Sequence, residues 1–516
     1  MRKERSTKAA VRVWGVAFAV LVLLAGALPE ASAALRAGAA AANITEDKPT
    51  GPVHDPLMAK ALVLEDGSHK VVIISLDLIE ATDSIVAGVR RGAEKEIGID
   101  PSGVLINASH NHRTSGQIAK DVVPRIVGAV KQASQNMVPA RIGVGVGREE
   151  RITMNRRLRM KDGKQWTIRR STPSPADAEE AGLGPFDPQI GLLRVDTLAG
   201  KPLALVYNFA GHPYGGVPDG GATADYPGFA SRVIESAWPG AVALFVQGAG
   251  GDTTPVQFKH LEAPQPTEEL GTKLGLSALQ AAQGISTTNQ ALVRAVREVV
   301  EFPRRTDAAE RIQALLAEQE KILQFYTAAG PGVGGNGLAL NFKMFLPLYL
   351  KQALDPEHPS EASFTYQQEE LTGQSGLRRL DAENKKRIEI YRQCIDKMDR
   401  LITIRTNLRL LQEHLDRRGS GPLVAEIQAI RIGDFVLVTF PGELFVEVGL
   451  RIKERSPFPK TFIAGYTNGG LGYAPTADSY DKQAYEDSCT YLAPQWQELY
   501  ERKALELIRR LGQSGD

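Results

Sequence analysis

Several short stretches of this chain are apolar at nearly every position rather than at alternate ones. Lys70-Val-Val-Ile-Ile-Ser-Leu-Asp77, Ala241-Val-Ala-Leu-Phe-Val-Gln247 and Phe435-Val-Leu-Val-Thr-Phe440 are the clearest. Each has the length of a strand, and a strand apolar throughout is buried on both faces. Between such runs, Ile118 to Met137 and Thr267 to Gln283 carry apolar residues at helical spacing. This alternation, from Ala34 to about Val300, predicts an α/β fold with a mixed central sheet and flanking helices. From Arg305 to Arg418 the texture changes. Ala308 to Thr327 and Asp381 to Arg417 are charged and helix-periodic, and a glycine-rich stretch, Gly330 to Gly337, lies between them with an apolar piece, Leu338 to Leu354. Residues 305–418 therefore read as a helical insertion with a greasy loop, either covering a site or packed as a plain hairpin. The α/β texture returns at Pro422, with a strand at Thr461 to Tyr466 and a last helix from about Pro494 to Leu511. No internal repeat is visible.

The apolar runs end in residues of one chemical kind. Val104-Leu-Ile-Asn-Ala-Ser runs into His110-Asn-His112, and alternation along a strand would put both imidazoles on one face. Leu203 to Gly211 runs into His212, and Phe435 to Gly442 into Glu443. Three histidines and a carboxylate delivered by separate strand ends make a candidate metal site in an α/β enzyme. His54 could line such a site or serve structure alone. His69 and His358 sit in turn-like surroundings, His260 lacks a comparable setting, and His414 lies in a charged helix where solvent is its expected neighbour.

The 516 residues are enough for a large core, and a net charge of +1 gives no reason to expect a nucleic-acid partner. Many of the 50 glycines flank the candidate residues, where they allow sharp turns or close backbone approach. Arg2, Lys3, Arg5, Lys8 and Arg12 precede an apolar run from Val13 to Leu28 and then Ala31-Ser-Ala33. This is the layout of a secretory signal cleaved after Ala33, leaving residues 34–516 as one exported catalytic domain, periplasmic or extracellular. The rival, a retained anchor, has a run shorter than the roughly 20 residues a spanning helix prefers. Cys394 and Cys489 either pair or remain two thiols.

Six short motifs, in order, resemble those of the neutral (non-lysosomal) ceramidase family, zinc-dependent amidases that cleave the N-acyl bond of ceramide. They are Ser109-His-Asn-His112, Met154-Asn-Arg-Arg157, Asn208-Phe-Ala-Gly-His212-Pro, Gly251-Asp-Thr-Thr-Pro255, Pro441-Gly-Glu443, and Asn468-Gly-Gly-Leu-Gly-Tyr473 followed by Tyr480, Tyr485 and Glu486. The resemblance spans about residues 35 to 512. It implies one zinc per chain, held by His110, His112, His212, Glu443 and Tyr473, and a lipid-like N-acyl substrate met at or near a membrane surface. Arg156 becomes a candidate to hold substrate or oxyanion, against the alternative of a surface arginine beside Arg157 and Arg159. Thr254 stands where the family carries serine, keeping a hydroxyl on a stiffer side chain. Water activated by the metal is thereby favoured over Thr254 as the attacking group. Arg113-Thr-Ser replaces the family's Ser-Gly-Pro, Gly51 to His54 is abbreviated, and the family's immunoglobulin-like C-terminal domain has no counterpart. These departures leave open a smaller polar acyl substrate, or a zinc-bearing protein that binds without catalysing.

Overall fold

The computed structural model describes residues 35–168, 177–256, 266–327, 342–416, 421–482 and 484–513. The signal segment, the Gly330–Gly337 loop and His260 lie outside the described residues. The fold is α/β and mixed, as the alternation predicts, and it is built from one strand pattern used three times. In the first unit β1 (Arg36–Asn43), β2 (Met58–Glu65) and β3 (Lys70–Leu76) pair antiparallel in sequence order. Helix α1 (Asp83–Ile97) then crosses over to β4 (Val104–Ala108), which pairs parallel with β3. Helix α2 (Val122–Gln135) follows.

The second unit opens with β5 (Val138–Arg148) and makes an excursion: β6 (Thr153–Asn155), then a small sheet of β7 (Arg157–Met160), β8 (Gln165–Thr167) and β9 (Glu180–Leu183). It resumes with β10 (Gln189–Thr197) and β11 (Pro202–Phe209), antiparallel in turn. Helix α3 (Asp225–Ala237) crosses over to β12 (Val242–Gln247), parallel to β11. After β13 (Thr253–Pro255) and helix α4 (Thr267–Gln283) comes the third unit, starting at β14 (Val293–Phe302). Its excursion is helical: α5 (Ala308–Thr327), α6 (Phe342–Leu354), α7 (Ser363–Leu371) and α8 (Gly376–Asp416). Then β15 (Leu423–Ile432) and β16 (Phe435–Thr439) pair antiparallel with their predecessors. Past β17 (Glu443–Leu444), helix α9 (Val446–Arg455) crosses over to β18 (Thr461–Ala464), parallel to β16. The chain closes with β19 (Tyr473–Ala474), α10 (Tyr485–Cys489) and α11 (Trp496–Arg510).

The first two units join through the β1–β5 contact into one sheet, and the third forms a second sheet of four strands. Their facing side chains make a shared core: Leu62, Ile73 and Leu105 from unit one, Leu193, Val206 and Leu244 from unit two, Ile430, Leu437 and Phe462 from unit three. The opposite faces are apolar too. Ala61, Val63, Val72 and Ile74 pack on α1 and α2; Leu205, Tyr207 and Phe245 on α3 and α4; Ile427, Val436 and Val438 on α9 and α11. Burial on both faces is why these runs read as continuously apolar. Each fully buried aliphatic side chain adds roughly 1.5–3 kcal/mol against exposure. Among the described residues no helix is long and apolar enough to cross a membrane.

The three parallel edges meet largely through side chains; the exception is a short backbone bridge of Asn107 with Thr467, where Ala108 N donates to Tyr466 O (3.1 Å) and Asn468 N to Ile106 O (3.0 Å). Ser75 Oγ on β3 donates to Phe245 O on β12 (2.6 Å), and Lys60 Nζ on β2 donates to Ala243 O (3.0 Å). Asn208 on β11 donates to Ile463 O on β18 (2.8 Å). Asn107 on β4 accepts from Gln247 N (2.8 Å) and donates to Gly465 O (2.7 Å) and Thr467 Oγ1 (2.9 Å). It thus ties unit one to both others. Asn107→Ala would orphan the buried Gln247 N, at about 1–3 kcal/mol, and take one partner each from Gly465 O and Thr467 Oγ1, which keep their bond to one another (2.8 Å). We predict a loss of roughly 2 kcal/mol or more in urea unfolding of the metal-free protein. A loss under 1 kcal/mol would show that the edges are held by packing alone.

Candidate metal centre

Each crossover leaves two loops at the same end of its unit, and those loops carry the candidate residues. His110 lies two residues past β4, His212 three past β11, and Glu443 four past β16. The structure corrects how the histidine pair is formed. His110 is outside the strand, in the left-handed region with φ 63°, so strand alternation does not place it beside His112. The turn at His110 does that. His112 N then donates to Pro213 O (3.1 Å), pinning this loop to the one that carries His212.

The imidazole Nε2 atoms converge. His112 Nε2 lies 3.0 Å from His110 Nε2 and 3.1 Å from His212 Nε2. His110 Nδ1 faces Ile79 O (2.8 Å), and His212 Nδ1 faces Gly250 O (3.1 Å). A carbonyl oxygen only accepts, so both Nδ1 atoms donate, and both Nε2 atoms present lone pairs to the centre. Glu443 Oε2 is 3.3 Å from His110 Nε2 and is a buried oxygen with no hydrogen-bond partner. Lone pairs and a carboxylate oxygen facing one another unpaired are repulsive unless a cation sits among them. The three histidines form a group able to hold a metal ion, and the unpartnered oxygen of Glu443 lies beside its His110 member.

Electrostatics favour the neutral form of His112 and His212. Burial, followed by the neighbouring His110 and Arg156, holds His212 well below its ordinary value. His112 presents an edge to solvent, yet packing around its ring and the charges of His110, Arg156 and Arg113 push it down to about 3. Neutral imidazole is the form that ligates metal.

Tyr473 reaches the site through the β17–β19 pairing, where it lies directly opposite Glu443. Its hydroxyl accepts from Arg156 Nη2 (2.9 Å), while Arg156 Nε donates to Glu486 Oε1 (2.8 Å). Arg156 is 6% exposed, which removes the surface reading, and Arg157 beside it is buried over the Phe445 ring. Burial opposes the Arg156 charge, but Tyr473 and Glu486 outweigh it and keep the guanidinium protonated. Burial drives the Tyr473 phenol well above its ordinary value, with Arg156 pulling the other way. Thr254, on β13 opposite Met154, is fully buried, and its Oγ1 accepts from the Tyr214 hydroxyl. The Tyr214 ring meets His212 edge-on at 4.8 Å. Gly251 confirms the glycine expectation: a Cβ there would collide with Glu443 O.

Two neighbours escaped the sequence reading. Tyr214 follows His212 by two residues, and that proximity was its only signal. Tyr466 ends the run Thr461 to Tyr466 and stacks on His110 at 4.1 Å with φ 52°, the counterpart in unit three of His110 itself. The remaining described histidines stay apart. His54 pairs with Asp219 (2.9 Å), His69 with Arg294, and His358 with Asp355 (3.7 Å). His414 lies against Tyr491 (4.1 Å) rather than in open solvent.

We predict that wild type retains a divalent metal through gel filtration and that His110→Ala/His212→Ala does not, by elemental analysis. Stoichiometric metal in the double mutant would place the ion elsewhere.

The sequence matches no known protein-family model. A curated relative, neutral ceramidase B of Dictyostelium discoideum, is 36% identical over 81 residues, covering 14% of this chain and 11% of that protein. The crystal structure of neutral ceramidase from Pseudomonas aeruginosa superposes with a TM-score of 0.59 at 19% identity, covering 92% of this chain and 75% of that one. A ceramidase complexed with C2 gives a TM-score of 0.59 at 18% identity, with 93% and 75% covered. The resemblance carried by the six motifs thus extends to the architecture: this chain has the fold of the neutral ceramidases.

Proposed function

We propose that this chain is a zinc-dependent hydrolase that cleaves the N-acyl amide bond of ceramide or a related lipid, releasing a fatty acid and a sphingoid-type amine. The observation that carries the reading is the convergence of three imidazole Nε2 atoms, with the unpartnered Glu443 Oε2 3.3 Å from that of His110. Their separations of 3.0 and 3.1 Å approach the roughly 3.3 Å expected between nitrogens that share one tetrahedral zinc. The likeness in fold to proteins named as ceramidases supports the substrate class. His110, His112, His212, Glu443 and Tyr473 would hold one zinc. When bound, zinc polarises an acyl carbonyl and lowers the pKa of water toward neutrality.

The chain's own residues supply the rest. His112, the solvent-facing member, lies where substrate arrives. Arg156 keeps a buried positive charge beside the Tyr473 hydroxyl, available to negative charge that develops on the acyl oxygen. Its ion pair with Glu486 fixes the guanidinium before substrate binds. Thr254 and Tyr214 offer a hydroxyl pair to orient the acyl group. Water rather than Thr254 is the nucleophile. An attacking hydroxyl needs an adjacent base, and among the described residues Thr254 Oγ1 bonds only Tyr214 and, at 3.5 Å, Pro255 O. We further propose export with cleavage after Ala33, and a single catalytic domain of residues 34–516 with 305–418 as its insertion.

The test uses the zinc-loaded chain starting at Ala34 on long-chain ceramide and on short N-acyl compounds, with released fatty acid measured. Release from ceramide should vanish with chelator and return with zinc. Turnover confined to short polar compounds would replace the lipid substrate, and none at full zinc content would leave a binding protein. Thr254→Ala should lose one hydrogen bond, roughly 0.5–1.5 kcal/mol, or about tenfold in kcat at most. An inert, zinc-loaded Thr254→Ala with an acyl adduct on wild-type Thr254 would make that residue the nucleophile.

A further inference from the structure

Helix α6 breaks the rule that governs the rest of the chain. It reads Phe-Lys-Met-Phe-Leu-Pro-Leu-Tyr-Leu-Lys-Gln-Ala-Leu, yet none of its residues is buried. Phe342 is 67% exposed, Met344 53% and Leu354 83%. A helix apolar on nearly all sides belongs in a core or in lipid, not in water. One edge is packed, through Phe345, whose ring lies 5.1 Å from Tyr391 of α8. Leu346, Leu350 and Leu354, four residues apart, share a face turned away from that edge. The only charges on α6 are Lys343 and Lys351, and it carries no acid. The next helix, α7, adds Phe364 (71% exposed) and Leu371 (84%).

We infer that α6 is a docking helix for a lipid bilayer bearing anionic headgroups, with Leu346, Leu350 and Leu354 in the acyl boundary and Lys343 and Lys351 among the phosphates. Its 13 residues are too few to span a bilayer, so the helix lies in the plane of the interface. The acids Glu369 and Glu370 belong to α7; on α6 itself two lysines stand with no acid, which complements an anionic surface. They argue against a second copy of the chain as the occupant, because a two-fold contact would set the lysines of one α6 near those of the other. The docking helix is mechanically joined to the metal centre. Its partner α8 carries His414, whose ring lies 4.1 Å from Tyr491, and Arg311 of α5 donates to Asp487 O (3.1 Å). Asp487 adjoins Glu486, which holds Arg156. The inference deepens the reading of a lipid substrate, and its biological sense rests on that reading.

The test is sedimentation with vesicles of phosphatidylcholine alone and of phosphatidylcholine with phosphatidylglycerol. All chains start at Ala34, so that the N-terminal apolar run does not contribute. Wild type is compared with Leu346→Glu/Leu350→Glu/Leu354→Glu and with Lys343→Glu/Lys351→Glu. Zinc content and thermal unfolding report whether each variant is intact, and Leu354→Glu alone replaces the triple variant if that one fails to fold. Wild type should sediment with the anionic vesicles. The leucine variant should lose about tenfold or more in partitioning, and the lysine variant its preference for phosphatidylglycerol. The inference is overturned if wild type stays in the supernatant with both vesicles, if the leucine variant sediments like wild type, or if light scattering shows a wild-type dimer that the leucine variant dissolves. Vesicle binding needs no turnover. Binding that depends on α6 in a chain inactive on every N-acyl lipid would keep the docking surface and discard the substrate.

Discussion

Asn107 is a buried amide at which all three strand units are tied. Its carbonyl oxygen takes the N–H of Gln247 at the end of β12, and its amide group serves Gly465 and Thr467 just past β18. Open sheet edges present unpaired backbone groups that must find partners when buried. Here the edges of three units face inward, and side chains supply most of those partners: Ser75 and Lys60 for β12, Asn208 for β18, and Asn107 for β12 and the segment past β18, where a short backbone bridge to β4 adds two more bonds. The cost of leaving any of these groups unpaired fixes the units relative to one another. His110, His212 and Glu443 each come from a different unit, so a few ångströms of slip between units would scatter them. The candidate metal centre depends on these bonds, because they hold in register the edges that carry its residues.

The repeated frame and the unrepeated excursions divide the work. The parallel pairs place the candidate ligating atoms, and their own backbone orients them: Ile79 O past β3 and Gly250 O past β12 turn the two imidazoles. Charge control comes from elsewhere. Arg156 arrives on the excursion between β5 and β10, at the junction of β6 and β7, and Glu486 on the C-terminal α10. A buried arginine costs several kcal/mol unless fully paired. Glu486 and the Tyr473 hydroxyl meet that need, and Thr167 in turn holds Glu486 Oε2 at 2.7 Å.

Much of this was legible in the chain, and the parts that were not have physical reasons. Burial on both faces shows in sequence as continuous apolarity, so β3, β12 and β16 and the α/β class could be read directly. His212 and Glu443 stood out because a metal ligand at the end of an apolar run has few structural uses. The threefold recurrence of the unit was invisible because topology is set by pairing and crossover, which many unrelated apolar residues satisfy. Nothing in Val104 to Ala108 resembles Thr461 to Ala464 beyond burial. The left-handed turn at His110 was equally hidden, since histidine is enriched in that region only over a low base rate, too weakly to mark one position. Arg156 sat in a basic stretch and read as readily as a surface residue. Its burial depends on Glu486, 330 positions away, a separation no local pattern records.

The place of the insertion carries a last consequence. The large additions fall between the first two antiparallel strands of units two and three, never inside a parallel pair. An insertion in a hairpin connection lengthens a loop whose closure cost grows only slowly with length. An insertion in a crossover would displace the helix that covers the sheet and the strand end that bears a ligand. The frame therefore tolerates change where it is furthest from the chemistry in pairing terms. Those same tolerant positions supplied Arg156 and the apolar helix α6. The frame that places the candidate ligands and the segments that surround them are thus separate parts of the chain, joined by contacts such as the Arg156–Glu486 ion pair.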